Sequence, residues 1–192
     1  MRKILVGLML MFCAAGWSVT RCAAHSEHDA EAAATPRPTR SSPGANPWNR
    51  GRQPADWQAE IERYHGHVGP WNVLGWRIGQ AAMRELGAEW GDHSLEIICH
   101  IPMATPYSCL IEGLMVGTGN SQGRLDLRVS EELTSATIHV SVRKIGTPRT
   151  LEFRPHAVYL NKIESRPASE LARLVDECAK MTDADLFTIR RP

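Results

Sequence analysis

Residues 70–87, PWNVLGWRIGQAAMRELG, constrain the fold more than any other stretch of the chain. Val73, Leu74, Ile78, Ala81, Ala82 and Leu86 repeat with helical period, Pro70 suits a first helical position, and Gly87 is placed as a C-terminal stop. Within this helix Gly75 and Gly79 stand four apart on one face, each lowering helix stability by about 1 kcal/mol relative to Ala. Such a helix holds its place only if a second backbone packs closely against the glycine face.

The rest of the chain supplies elements for that packing. PADWQAEIERYH carries Trp57, Ile61 and Tyr64 at three- to four-residue spacing and predicts a helix opened by Pro54. HSLEIICHIPM reads as a strand, and residues 108–116 as a short buried helix. Residues 124–129 and 136–143 alternate apolar and polar side chains, which predicts two antiparallel strands joined through 130–135. Residues 151–154 add a short strand, and the C-terminal part from His156 reads as helical with a break at Pro167. The expectation is an α+β fold in one domain, residues 53–192, with an antiparallel sheet packed by helices and a helical C-terminal segment whose last residues dock on the domain.

The N-terminus has a different character. In residues 1–24, Arg2 and Lys3 precede an apolar stretch that ends in small residues at Ala24, the layout of a secretory signal peptide. Residues 25–52 are rich in Pro, Ala, Ser, Gly and Arg without apolar periodicity, as in a disordered linker. The expected mature protein, 168 residues exported to the periplasm or secreted, keeps 19 basic and 21 acidic side chains and three cysteines, Cys99, Cys109 and Cys178. Three cysteines allow at most one disulfide and leave at least one thiol.

Charge excludes some classes of function. A net charge of +1 over the whole chain gives no footprint for nucleic acid. No apolar run beyond the leader approaches the roughly 20 residues of a membrane span, so the mature chain is expected to have no stable span. Trp48, Trp57, Trp71, Trp76 and Trp90 crowd the N-terminal half, a pattern that suits either a core or a homodimer interface.

Chemistry concentrates in two places. In Tyr64-His65-Gly66-His67-Val68-Gly69-Pro70, an extended backbone would turn both imidazoles to one side, and the helix opening at Pro70 would offer free N–H groups beside them. The second cluster is Cys99, His100, Tyr107, Cys109 and Glu112, in which Cys109 and Glu112 share a helix face while His100 points opposite to the core residue Cys99. His65, His67 and Cys109 supply three ligands of the types zinc takes, with Glu112 as fourth ligand or general base. Taken alone, a His-x-His pair and a buried cysteine are also common in proteins that bind no metal. The loop Thr118-Gly119-Asn120-Ser121-Gln122-Gly123 suits either ligand binding through backbone N–H groups, with Thr118, Gly119 and Asn120 foremost, or a plain turn.

Two of these segments carry a resemblance. YHGHVGPWNVLGWRIGQAAMRELG resembles the opening motif of the formylmethanofuran dehydrogenase E-subunit family, and SCLIEGLMVGTGNSQGRLDL its second motif, with a cysteine, an acidic residue three later and Thr-Gly before a strand. The C-terminal run is also similar, so the resemblance covers residues 57–190. It implies that His65, His67, Cys109 and Glu112 line a divalent-metal site, expected to hold zinc. The chain departs from the family at Gly69 and Asn120, which stand where the motifs usually have cysteine, and it lacks a C-terminal zinc ribbon, having no Cys-x-x-Cys pair. Both changes make the donor set poorer in sulfur.

Three functions follow as expectations. In the first, the protein is an exported metal-binding enzyme acting on a small molecule, with Glu112 or His100 moving a proton. In the second, it is a non-catalytic module that holds a metal or small ligand in the periplasm. In the third, it is a structural protein whose histidines orient loops.

Overall fold

The computed structural model describes residues 51–91, 93–164 and 166–192. The leader expected at 1–24 and nearly all of the linker, Trp48 included, lie outside the described residues. Helix α1, Trp57–His65, is opened by Asp56, whose carboxylate accepts the N–H groups of Gln58 and Ala59 at 3.0 Å. Pro54, expected inside the first turn, precedes the helix, because the Asp56 side chain satisfies the orphan amides better than a proline ring can. Helix α2, Pro70–Leu86, has the boundaries its pattern predicts, with Gly87 closing it in the left-handed conformation.

Helix α3, Cys109–Thr118, supplies the backbone that the α2 glycines demand. Gly75 faces the Leu110 turn of α3 and Gly79 faces Gly117, while Gly113 and Gly117 face Asn72 and Trp76 in return. The two helices therefore interlock glycine face to glycine face. Their contact is tied at its edges: Gln80 donates to the Gly117 carbonyl at 2.8 Å and Asn72 to the Cys109 carbonyl at 2.9 Å.

Behind this helix pair lies a five-stranded sheet in the order β2-β1-β3-β4-β5, formed by β1 Leu95–Ile101, β2 Leu127–Glu131, β3 His139–Lys144, β4 Thr150–Pro155 and β5 Phe187–Arg190. Leu95, Ile97, Cys99 and Ile101 point into the core and are fully or almost fully buried, as are Val140, Val142 and Phe153 on neighbouring strands. Helices α4, Ala157–Glu164, α5, Leu171–Lys180, and the short α6, Asp183–Leu186, close the same core through Tyr159, Leu160, Ile163, Val175, Cys178 and Leu186. The α+β expectation holds, with one sheet and six helices among the described residues. None of those helices is long and apolar enough to cross a membrane.

Two expectations about the sheet are corrected. Strands β2 and β3 do not pair with each other; they flank β1 on opposite sides, β2 parallel and β3 antiparallel to it. Strand β1, helix α3 and strand β2 form a crossover that returns the chain in the same direction, which requires a parallel pair. Alternation tells which face of a strand is buried but not which strand lies beside it. Likewise the last residues are strand rather than helix: Phe187 and Ile189 alternate with Thr188 and Arg190 and pair with β4.

The tryptophans are largely spent inside the chain. Trp57 stacks on Trp76 at 4.4 Å between ring centroids, joining α1 to α2. Trp71 meets Tyr107 edge-on at 5.1 Å, and the Trp90 indole donates to the Val116 carbonyl at 2.8 Å. Cys99, Cys109 and Cys178 are all free thiols.

Candidate metal site

The His-Gly-His segment is not extended. His65 is the last residue of α1, and Gly66 follows at φ 84°, its N–H donating to the Glu62 carbonyl. A side chain at position 66 would be strained, so glycine allows the chain to leave the helix there and bring His67 back against His65. The two rings lie 4.6 Å apart between centroids, tilted by 47°. The imidazoles come together as their two-residue spacing suggests, but through a helix end rather than a strand.

Opposite them stands the first turn of α3. The His65 Nδ1 atom contacts a Glu112 carboxylate oxygen, and that oxygen is buried. The placement is electrostatically coherent: an imidazole sits at the negative end of α1 and a carboxylate at the positive end of α3. His65, Cys109 and Glu112 line one cavity of about 270 Å³, together with Ser108, Ile111, Met115 and Gln122. Burial, with the Glu112 carboxylate second, pushes the half-buried Cys109 thiol above its ordinary pKa, which keeps it protonated at neutral pH.

Asn72 fixes this arrangement from below. Its side-chain oxygen accepts the Gly69 N–H at 2.8 Å while its amide donates to the Cys109 carbonyl, linking the loop after His67 to the start of α3. The Gly69 N–H, just before α2, is thus taken by Asn72. Among the described residues, no three His, Cys, Asp or Glu side chains are grouped closely enough to hold a metal ion as they stand. His65 is in contact with both Glu112 and the ring of His67.

The other expected site residues are placed elsewhere. His100 lies on the helix-free face of the sheet, stacked on His139 at 4.0 Å, whereas its neighbour Cys99 is in the core with its thiol pushed up to about 12 by burial. Thr118 and Asn120 are buried in the scaffold: the Thr118 hydroxyl donates to Leu114 and accepts from the Asn120 N–H, and the Asn120 amide donates to Leu95. The loop reaches the cavity instead through Gln122. Met115 carries no chemical signal of its own in the sequence, although it follows Glu112 by three residues and so shares its helix face.

A family model described as FmdE, molybdenum formylmethanofuran dehydrogenase operon, matches residues 64–188. The match begins one residue before His65 and spans both halves of the cleft. No curated protein matches the chain.

Proposed function

The chain belongs to the FmdE family, and on that premise we propose that its folded domain binds a divalent metal ion of the zinc class in the cleft between the end of α1 and the start of α3. Membership in the family supports a metal-binding role, and the observation that carries the assignment to this cleft is the contact between His65 and a buried, otherwise unbonded carboxylate oxygen of Glu112. His65 is the one partner of this buried oxygen, and a cation held by both groups would take the place of the proton between them. His65, His67 and Cys109 are the ligands in this reading, with Glu112 as fourth ligand or as acceptor for a proton from the ion's remaining ligand.

The donor set suits a doubly charged ion. The Cys109 thiolate and the two neutral imidazoles would hold it, and the Glu112 carboxylate beside them would balance the remaining charge. Binding requires His67, which is exposed, and Cys109 to turn toward the His65–Glu112 pair, while Asn72 holds the backbone of both loops. A bound ion with an exchangeable position supplies Lewis acidity for a small molecule entering the cavity. Proton transfer then falls to Glu112, since His100 is on the other side of the sheet. The leader pattern at 1–24 supports export, so the reading includes a metal-binding domain in the periplasm or outside the cell.

Elemental analysis of the purified chain beside H65A/H67A tests the proposal. Near-stoichiometric metal in the wild type and its loss in the variant is the expected result. Equal metal content in both, with folding retained, refutes the assignment to this cleft.

A further inference from the structure

The cleft does not use His100, yet the fold gives this residue a partner. In the antiparallel pair of β1 and β3, His100 lies directly opposite His139, on the face turned away from the helices. Their neighbours along the strands, Cys99, Ile101, Ile138 and Val140, point to the buried side. The rings are stacked at 4.0 Å with 8° between their planes. Face-to-face stacking of two polar rings is not the arrangement aromatic groups favour, so the contact itself contributes little. Backbone register brings them together.

Each ring is oriented by an acceptor at the same atom. His139 Nδ1 lies 2.8 Å from the Thr137 carbonyl, which can only accept, so Nδ1 carries the proton and Nε2 keeps its lone pair. His100 Nδ1 lies 3.5 Å from the Glu132 carboxylate, which favours the same tautomer. Two neutral imidazoles with Nδ1 turned to a carbonyl and to a carboxylate have the outer support that metal-ligating histidines characteristically have. With the planes nearly parallel, the lone pairs do not face each other across the stack, so an ion held by both Nε2 atoms requires the rings to open from it.

We propose that His100 and His139 form a second metal site, separate from the His65 cleft, which takes an imidazole-seeking divalent transition ion on the open face of the sheet. Glu132 and the Thr137 carbonyl position the rings, and water fills the remaining coordination positions. The rings tilt out of their stack for both Nε2 lone pairs to converge, which their partly exposed location allows. The order of divalent affinities places Cu²⁺ first at a two-nitrogen site of this kind.

The test is titration of the full-length protein with Cu²⁺, followed by calorimetry and by electron paramagnetic resonance. H65A/H67A removes ligands of the cleft, and H65A/H67A/H139A removes one of the sheet ligands as well. Histidines elsewhere in the chain are common to both variants, so their contribution cancels in the comparison. Expected are one fewer copper bound, or at least a tenfold weaker site, when His139 is replaced, and nitrogen hyperfine structure from two imidazoles in H65A/H67A. E132Q, which leaves both ligands in place, is expected to weaken the same site several-fold and covers the case in which the triple variant does not fold. Identical copper binding in H65A/H67A and H65A/H67A/H139A, or, if the triple variant is unfolded, in the wild type and E132Q, overturns the proposal.

Discussion

Gly75 of α2 and Gly113 of α3 each lie against the backbone of the opposite helix, at a distance that admits no side chain. A Cβ at position 75 would stand 2.1 Å from the Leu110 carbonyl oxygen, and one at position 113 would stand 2.1 Å from the Asn72 carbonyl oxygen. Both obstacles are backbone, so neither moves aside by a rotamer change, and the helices must separate. Expected for G75A or G113A is a loss of roughly 3 kcal/mol or more, at or beyond the upper end of ordinary overpacking. The control is G123A, where the nearest heavy atom is the Ser121 hydroxyl at 4.0 Å, and little change is expected. Chemical denaturation of the three variants decides the matter; a G75A variant as stable as wild type would mean that the two helices can part at little cost.

The same crossing positions the metal cleft, because Asn72 sits in the first turn of α2 and is fully buried. N72A leaves the Gly69 N–H and the Cys109 carbonyl without their partner, with an expected loss of about 1–3 kcal/mol. It also unties the His67 loop from α3, so metal affinity at the cleft is expected to fall more than in a variant of equal stability loss elsewhere. Comparing metal affinity in N72A and in I163V, a core truncation on α4, separates positioning from general destabilisation. Equal affinities in the two variants would contradict the positioning role.

Much of this architecture is legible in the residues. The α2 pattern gives both its ends and, through Gly75 and Gly79, its need for a close neighbour, because periodicity and the missing side chains are local properties. Strand pairing is not local: residues 124–129 and 136–143 announce strands but not that β1 inserts between them. The C-terminal Phe187–Arg190 is too short to show its alternation against the helical pattern before it. In the cleft, His65, Cys109 and Glu112 can be grouped from their chemistry and spacing, whereas Met115 and Gln122 join them only through the packing of α3 and its following loop. The pairing of His100 with His139 depends on strand register, which sequence alternation leaves open.

The C-terminal segment is latched to α2 through Asp183, whose carboxylate accepts from both Arg77 and Arg84. Arg77 donates to Asp183 at 2.7 and 3.1 Å and to the carbonyls of Met181 and Ala179 at 2.7 and 3.1 Å, and its side chain is only 15% exposed. D183A removes its only charged partner among these and leaves Arg77 beside carbonyls alone. The expected loss is about 1–3 kcal/mol, discounted from that of a fully buried pair because Asp183 is partly exposed. Since β5 follows directly, hydrogen exchange at residues 187–190 is expected to accelerate more than exchange in β1. Uniform acceleration across the sheet would show instead that the segment unfolds only with the whole domain.

The stacked histidines make stability depend on pH in a defined direction. Burial, and next the neighbouring His139, lower the pKa of His100 below its ordinary value of 6.5, against the opposing pull of Glu132 and Glu152. The unfolded chain then binds more protons at this residue than the folded one, so stability falls as pH drops from about 6.5 through the folded-state value and is fully present above that range. Replacing His139 with glutamine removes the second positive charge, raises the His100 pKa and is expected to flatten the dependence. Thermal unfolding of wild type and H139Q between about pH 7.5 and pH 5, in the presence of a chelator, measures this, above the range where most carboxylates titrate. Parallel curves for the two proteins would mean that the two rings do not influence each other's protonation.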